Sequence, residues 1–197
     1  MQNIFKMNET YISDKTFEKK DFNKNPLEKG EYENCIFNNC NFSGIDLSEY
    51  KFIDCAFDGC NLSLVKLNDT VLRDVKFIEC KMLGIGFDNC HEFGLSFSFD
   101  GCMLNNTSFY KTKINKTVFK NSQLKEADFT ETDLSGSVLD NCDLAKAVFD
   151  RTILAGADLR TSYNYSIDPD NNKIKKAKFS LYGVSGLLGK FDIVIEK

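Results

Sequence analysis

Phe37-Asn38-Asn39-Cys40-Asn41-Phe42-Ser43-Gly44-Ile45-Asp46-Leu47-Ser48-Glu49-Tyr50-Lys51-Phe52 carries a large apolar residue at every fifth position. The series runs on through Phe57, Leu62, Leu67, Leu72, Phe77, Met82 and Phe87 without a miss. After an interruption it resumes at Phe99 and continues through Leu104, Phe109, Ile114, Phe119, Leu124, Phe129, Leu134, Leu139, Leu144, Phe149, Leu154 and Leu159. In a chain that is 42% hydrophobic, chance would give twenty-four such successive hits roughly once in a billion trials.

A period of five fits neither an α-helix, which repeats every 3.6 residues, nor a strand, which repeats every 2. A second pattern explains it. The residue two before each large one is small in most repeats: Cys35, Cys40, Cys55, Cys60, Thr70, Cys80, Cys102, Thr107, Thr117, Ala127, Ser137, Ala147 and Ala157. Two inward residues separated by one outward residue describe a short extended segment followed by a sharp turn. Four such segments close a square of twenty residues. Stacked squares pair their backbones at about 4.8 Å, and each coil is satisfied only by its neighbours, as in other solenoids. The expected fold is therefore all-β, a right-handed quadrilateral β-helix.

The pattern also sets boundaries. Residues 1–30 keep the fivefold phase (Met7, Ile12, Phe17, Phe22, Leu27), but Lys15, Lys20 and Asn25 fill the small positions, so this stretch reads as an N-terminal capping segment. Residues 31–184 read as the β-helix. Its coils break near 88–98, where twelve residues separate Phe87 from Phe99 instead of ten, and near 162–176, where Asn164 and Pro169 occupy large apolar slots. Asp168-Pro169-Asp170-Asn171-Asn172 is a turn sequence. Residues 185–197 lie outside the repeat and read as a dimerisation or capping module. Within it, Ser185–Phe191 suits a short helix and Asp192–Glu196 a strand.

All eight cysteines (35, 40, 55, 60, 80, 90, 102 and 142) fall at the small inward position. Cys40, Cys60 and Cys80 form a straight column, which cannot place four sulfurs about 2.3 Å from one metal ion. They read as small buried hydrophobes. His91 is the lone histidine and follows Cys90, but strand neighbours point to opposite faces. With no phosphate loop either, no catalytic set, metal or cofactor is expected, and the protein is read as not an enzyme. The formal charge of −4 argues against direct nucleic-acid binding, which needs a basic face. There is no apolar run long enough to span a membrane. The first nine residues, Met1–Glu9, hold no signal-peptide core. A cytoplasmic location is expected.

Charge is uneven along the chain. Residues 35–100 hold ten acidic against five basic residues, residues 101–160 eight against eight, and the tail from 161 four against six. Glu49 and Asp69 are one coil apart, as are Asp54 and Asp74, and the two pairs are expected on adjoining sides, forming an acidic ridge. The break would project Asp88, His91 and Glu92 from the shaft.

Three stretches resemble the Qnr-type quinolone-resistance branch of the pentapeptide-repeat family. They are Glu33 to Leu47, Leu83-Gly84-Ile85-Gly86-Phe87-Asp88-Asn89-Cys90, and Gly183-Val184-Ser185-Gly186-Leu187-Leu188-Gly189-Lys190-Phe191-Asp192-Ile193-Val194-Ile195. The last is not a repeat pattern and discriminates best. The resemblance implies a rod-shaped homodimer joined through its C-termini by Leu187, Leu188, Phe191, Ile193 and Ile195. It further implies a mimic of duplex DNA that engages a type II topoisomerase, DNA gyrase or topoisomerase IV, and shields it from quinolones. A repeat scaffold, or a self-immunity protein against a topoisomerase toxin, is the alternative.

Overall fold

A computed structural model describes residues 10–196; Met7 and the rest of the first nine residues lie outside it. Short strands succeed one another along the chain: β1 Thr10–Ser13, β2 Thr16–Glu18, β3 Gly30–Glu33, β4 Ile36–Asn38, β5 Lys51–Ile53, β6 Ala56–Asp58, β7 Val71–Arg73, β8 Val75–Ile78, β9 Phe97–Asp100, β10 Val118–Lys120 and β11 Val138–Asp140. All pairings are parallel and one coil apart. One side of the square is the sheet β1-β3-β5-β7, and the next is β2-β4-β6-β8-β9-β10-β11. The other two sides are held by single parallel bridges such as Asn41↔Asn61 and Asp46↔Lys66. The protein is a right-handed, four-sided β-solenoid.

Every one of the twenty-four large apolar residues in the two runs is buried. Because equivalent residues stack directly, aromatic rings form columns. Phe37 lies over Phe17 at 4.8 Å and under Phe57 at 4.7 Å. Phe109 sits between Phe87 at 4.9 Å and Phe129 at 5.1 Å. The small slot holds Cys, Thr, Ser or Ala, and its polar side chains reach a backbone carbonyl, in many cases one on the coil below. The Cys60 and Cys80 thiols donate to the carbonyls of Phe37 and Phe57, and the Thr132 and Thr152 hydroxyls to those of Phe109 and Phe129. Buried polar groups thus find partners, while alanine simply needs none.

The corners turn through left-handed backbone. Asp14, Asn34, Asp54 and Asp74 occupy one corner column with φ between 51° and 55°, the region Asn and Asp tolerate better than other L-residues. At other turns, carboxylate or amide oxygens accept backbone N–H groups two residues on, as Asp46 does from Ser48 and Asp133 from Ser135. Much of the chain's Asp and Asn content is therefore turn chemistry.

Several boundaries differ from the sequence expectation. The ladder already includes Thr10, since β1 pairs with β3 in register and Phe22 and Leu27 are buried. The segment expected only to cap therefore contributes to the coil, with Lys15 and Lys20 exposed at its small positions. In the second break, Tyr165 and Ile167 enter the core in place of Asn164 and Pro169. Asn172 fills a small slot, its Nδ2 donating to the Phe149 carbonyl and its Oδ1 accepting from the Thr152 N–H. The C-terminal segment forms two 3-10 helices, Leu181–Leu187 and Gly189–Phe191. Asp192–Glu196 forms no strand, because its β-branched run Ile193-Val194-Ile195 makes no ladder without a neighbour to pair with.

Candidate functional site

The four carboxylates of the expected ridge stand at two successive corners of the square. Glu49 and Asp69 stand at the corner before β5 and β7, and Asp54 and Asp74 at the corner after them. All four have positive φ and are exposed. Together they frame the side that carries the sheet β1-β3-β5-β7. That side is a shallow groove lined by Glu31, Glu49, Lys51, Asp69, Arg73 and His91 among others.

The groove is not uniformly negative. Lys29 lies 2.7 Å from Glu49, and Lys51 lies 3.6 Å from Glu31. The Glu49 carboxylate holds the Lys29 ammonium above its ordinary pKa. Among the described residues no ion pair involves Asp54, Asp69 or Asp74. Asp54, Asp69 and Asp74 are thus carboxylates outside these pairs, with Arg73 in the same groove.

The two extra residues of the break fall between His91 and Ser96. Up to His91 the register is normal, with His91 N–H donating to the Thr70 carbonyl; beyond it Ser96 N–H reaches the Leu72 carbonyl. Asp88 is not part of the projection. It sits in a 3-10 turn, Phe87–Asn89, that still stacks on Asp69. His91 is half-buried, and its Nδ1 accepts the Phe93 N–H at 3.3 Å. Glu92 is exposed.

The sequence reading missed Phe93 and Arg73. Phe93 is 72% exposed at the loop tip, and the Arg73 guanidinium lies 5.6 Å from its ring centroid. Gly94 turns with φ of +74° directly over the Arg73 side chain. The available signal was a phenylalanine out of phase within the insertion.

At the C-terminus, Leu187 is half-buried and packs against the chain's own core. Leu188 is half-buried, and Phe191, Ile193 and Ile195 are exposed. Leu181 and Tyr182 add to the same apolar end at 86% and 95% exposure. The cysteines are all free and buried. Burial pushes the Cys55 and Cys142 thiols up to about 12. Among the described residues no three His, Cys, Asp or Glu side chains converge where a metal would sit.

Two family models match the chain, a pentapeptide repeat region over residues 30–97 and eight copies of the pentapeptide repeat over residues 122–161. The chain belongs to the pentapeptide-repeat family. Among solved structures, this family member is similar to three of QnrB1, each described as a plasmid-mediated fluoroquinolone resistance protein. One trypsin-treated form shares 19% identity, with a TM-score of 0.64, 94% of this chain and 97% of that one covered. A second trypsin-treated form shares 19%, with a TM-score of 0.63 over 95% and 99%. Full-length QnrB1 shares 21%, with a TM-score of 0.56 over 93% and 100%. These likenesses establish the fold. No curated protein sequence matches the chain significantly. Among the described residues no helix is long and apolar enough to cross a membrane.

Proposed function

We propose that this pentapeptide-repeat protein is a non-enzymatic docking rod that binds a type II topoisomerase by presenting carboxylates where the enzyme expects DNA phosphates. The observation that carries the reading is the frame of Glu49, Asp54, Asp69 and Asp74 around one flat side of the shaft, continued by Glu92 on the adjoining loop. DNA presents about one charge per 1.7 Å of axis, and the rod offers carboxylates on a repeating coil. A basic DNA groove would gain steering and register from such an array. The similarity to QnrB1 structures supports the choice of partner and suggests protection from quinolones.

Gyrase supercoiling and direct binding, each with and without ciprofloxacin, test the proposal. The wild-type protein should bind gyrase in competition with duplex DNA and restore supercoiling in the presence of drug. Joint replacement of Asp54, Asp69 and Asp74 by Asn should weaken binding by about tenfold or more at low salt, and less at high salt. Equal binding by wild type and triple variant would exclude this face as the contact. No binding by either would remove the topoisomerase from the proposal.

A further inference from the structure

We infer that the C-terminal segment Ser180–Phe191 is a hinged cap on the last coil, poised between a latched and an open state while the shaft stays folded. Four observations converge. The cap's seven-residue 3-10 helix, Leu181–Leu187, contains no buried residue, and 3-10 helices of that length are uncommon because their hydrogen bonds are poorly aligned. Its seal is made by glycines spaced three apart, which eclipse on one edge of such a helix. A Cβ on Gly183 would lie 2.1 Å from the Tyr165 hydroxyl, and one on Gly186 would lie 2.4 Å from the Tyr165 carbonyl oxygen.

The closed cap leaves a defect beneath it. Tyr165 is 5% exposed, and its hydroxyl is buried without a hydrogen-bond partner. An unsatisfied buried hydroxyl opposes the state that buries it. Opening the cap would return this group to water.

What holds the cap closed is the packing of half-buried Leu187 against the core and a small number of polar contacts. The Ile167 N–H donates to the Gly186 carbonyl at 2.8 Å. Within the cap itself, the Ser180 hydroxyl accepts the Gly183 N–H and so caps the 3-10 helix. Lys190 reaches back to Asp168 at 2.8 Å and also contacts Asp170. This last latch is charged and solvent-facing, so salt weakens it. Local openings of this kind belong to the low-stability end of a protein's exchange spectrum.

Hydrogen exchange read by mass spectrometry tests the cap, because the two sides of its balance predict shifts of opposite sign. In wild-type protein, the Ile167, Gly183 and Leu188 amides should exchange faster in 1 M than in 0.05 M salt, with amides of β9 to β11 unchanged. Lys190→Met should speed exchange of these amides severalfold. Tyr165→Phe should slow it by about fivefold to tenfold, the ratio expected when an orphaned hydroxyl is removed. Runs at two protein concentrations separate opening within one chain from protection by association. Unchanged or faster exchange in Tyr165→Phe would overturn the inference, as would exchange that rises uniformly along the shaft in Lys190→Met.

Discussion

The rings of Phe77 and Phe99 stack at 5.3 Å and 12° although Val75 and Phe97, two residues before each, pair across a step two residues longer than the others on that sheet. The insertion is thus absorbed by one side of the square. The sheet β1-β3-β5-β7 stops there, while the seven-stranded sheet and the aromatic column pass through it. Phe99 is the splice, stacked on Phe77 and Phe119 and edge-on to Phe87 and Phe109. Phe99→Ala should cost about 3–5 kcal/mol in urea unfolding. A loss below about 1 kcal/mol would mean that the two halves of the shaft do not depend on this column.

Leu64 breaks the corner rule. It holds a φ of 61°, the one apolar residue among the described non-glycine residues with positive φ, and it is 67% exposed. Gly44 and Gly84 fill equivalent corners on the coils below and above, with φ of 70° and 65°. A left-handed L-residue costs roughly 1–2 kcal/mol, and glycine returns part of that through greater unfolded-state entropy. Leu64→Gly should therefore raise stability by about 0.5–1 kcal/mol, seen as a higher urea midpoint at constant slope. A destabilised variant would show that Leu64 makes packing contacts worth more than its strain.

The period of five made the shaft legible because every inward slot imposes the same chemistry. Phe37, Phe57 and Phe77 had to be large for the same reason that Cys40, Cys60 and Cys80 had to be small. Irregular places were legible only as departures. Counting from Phe87 to Phe99 revealed two extra residues, but nothing in the letters located them between His91 and Ser96, so Asp88 was wrongly drawn into the projection. Asn164 and Pro169 marked a distorted coil; that Tyr165 and Ile167 would replace them depends on backbone geometry that a fixed step of five cannot express. Asp192–Glu196 reads as a strand from its run of β-branched residues, yet strand formation needs a ladder. The carboxylates were visible as pairs, but the lysines that partner Glu49 and Glu31 come from the coils below and above.

The thiols should be inert in the native protein. Cys40, Cys60, Cys80 and Cys102 form one column whose sulfurs donate to carbonyls of the coil below, and burial suppresses the thiolates of Cys55, Cys90 and Cys142. The thiolate is the reactive form. Titration with a thiol reagent at pH 8 should label few cysteines in native protein and all eight in denaturant. Rapid native labelling of several would show that the coils open far more often than a continuous core allows.

Acid should loosen the distal coils before the rest of the shaft. Hydrogen bonding from Arg160, aided by nearby Lys178, holds the Asp158 carboxyl down to about 2, against about 4 in an unfolded chain. The folded value is the lower one. Its stabilisation is therefore complete above about pH 4 and is lost as pH falls towards 2. Partial exposure and solvent screening keep the contribution to no more than about 1 kcal/mol. Asp158→Asn should flatten the stability profile between pH 4 and 2 and leave the profile above pH 5 parallel to wild type. An unaltered acid limb would assign the acid sensitivity to other carboxylates.

Association through the C-terminal end decides whether the rod is long enough for the proposed partner. The ladder from Thr10 to Lys178 holds between eight and nine coils, which at about 4.8 Å give roughly 40 Å, little more than one turn of DNA, whereas two chains end to end exceed about 70 Å. The end is apolar enough to drive this. Leu181, Tyr182, Phe191, Ile193, Val194 and Ile195 are all more than half exposed, more apolar surface than a lone tail usually shows to water. A twofold axis would bury each against its copy. Leu187 is already committed to its own core, so its truncation tests folding of the cap, whereas Phe191 can be changed from outside. Replacing Leu188 and Phe191 together by Asp should give a folded monomer by sedimentation, with an unaltered β-type circular dichroism spectrum and weakened topoisomerase binding. Wild-type protein that sediments as a monomer at tens of micromolar would leave a rod too short to lie across a DNA groove, and the proposed mimicry would lose its geometric basis.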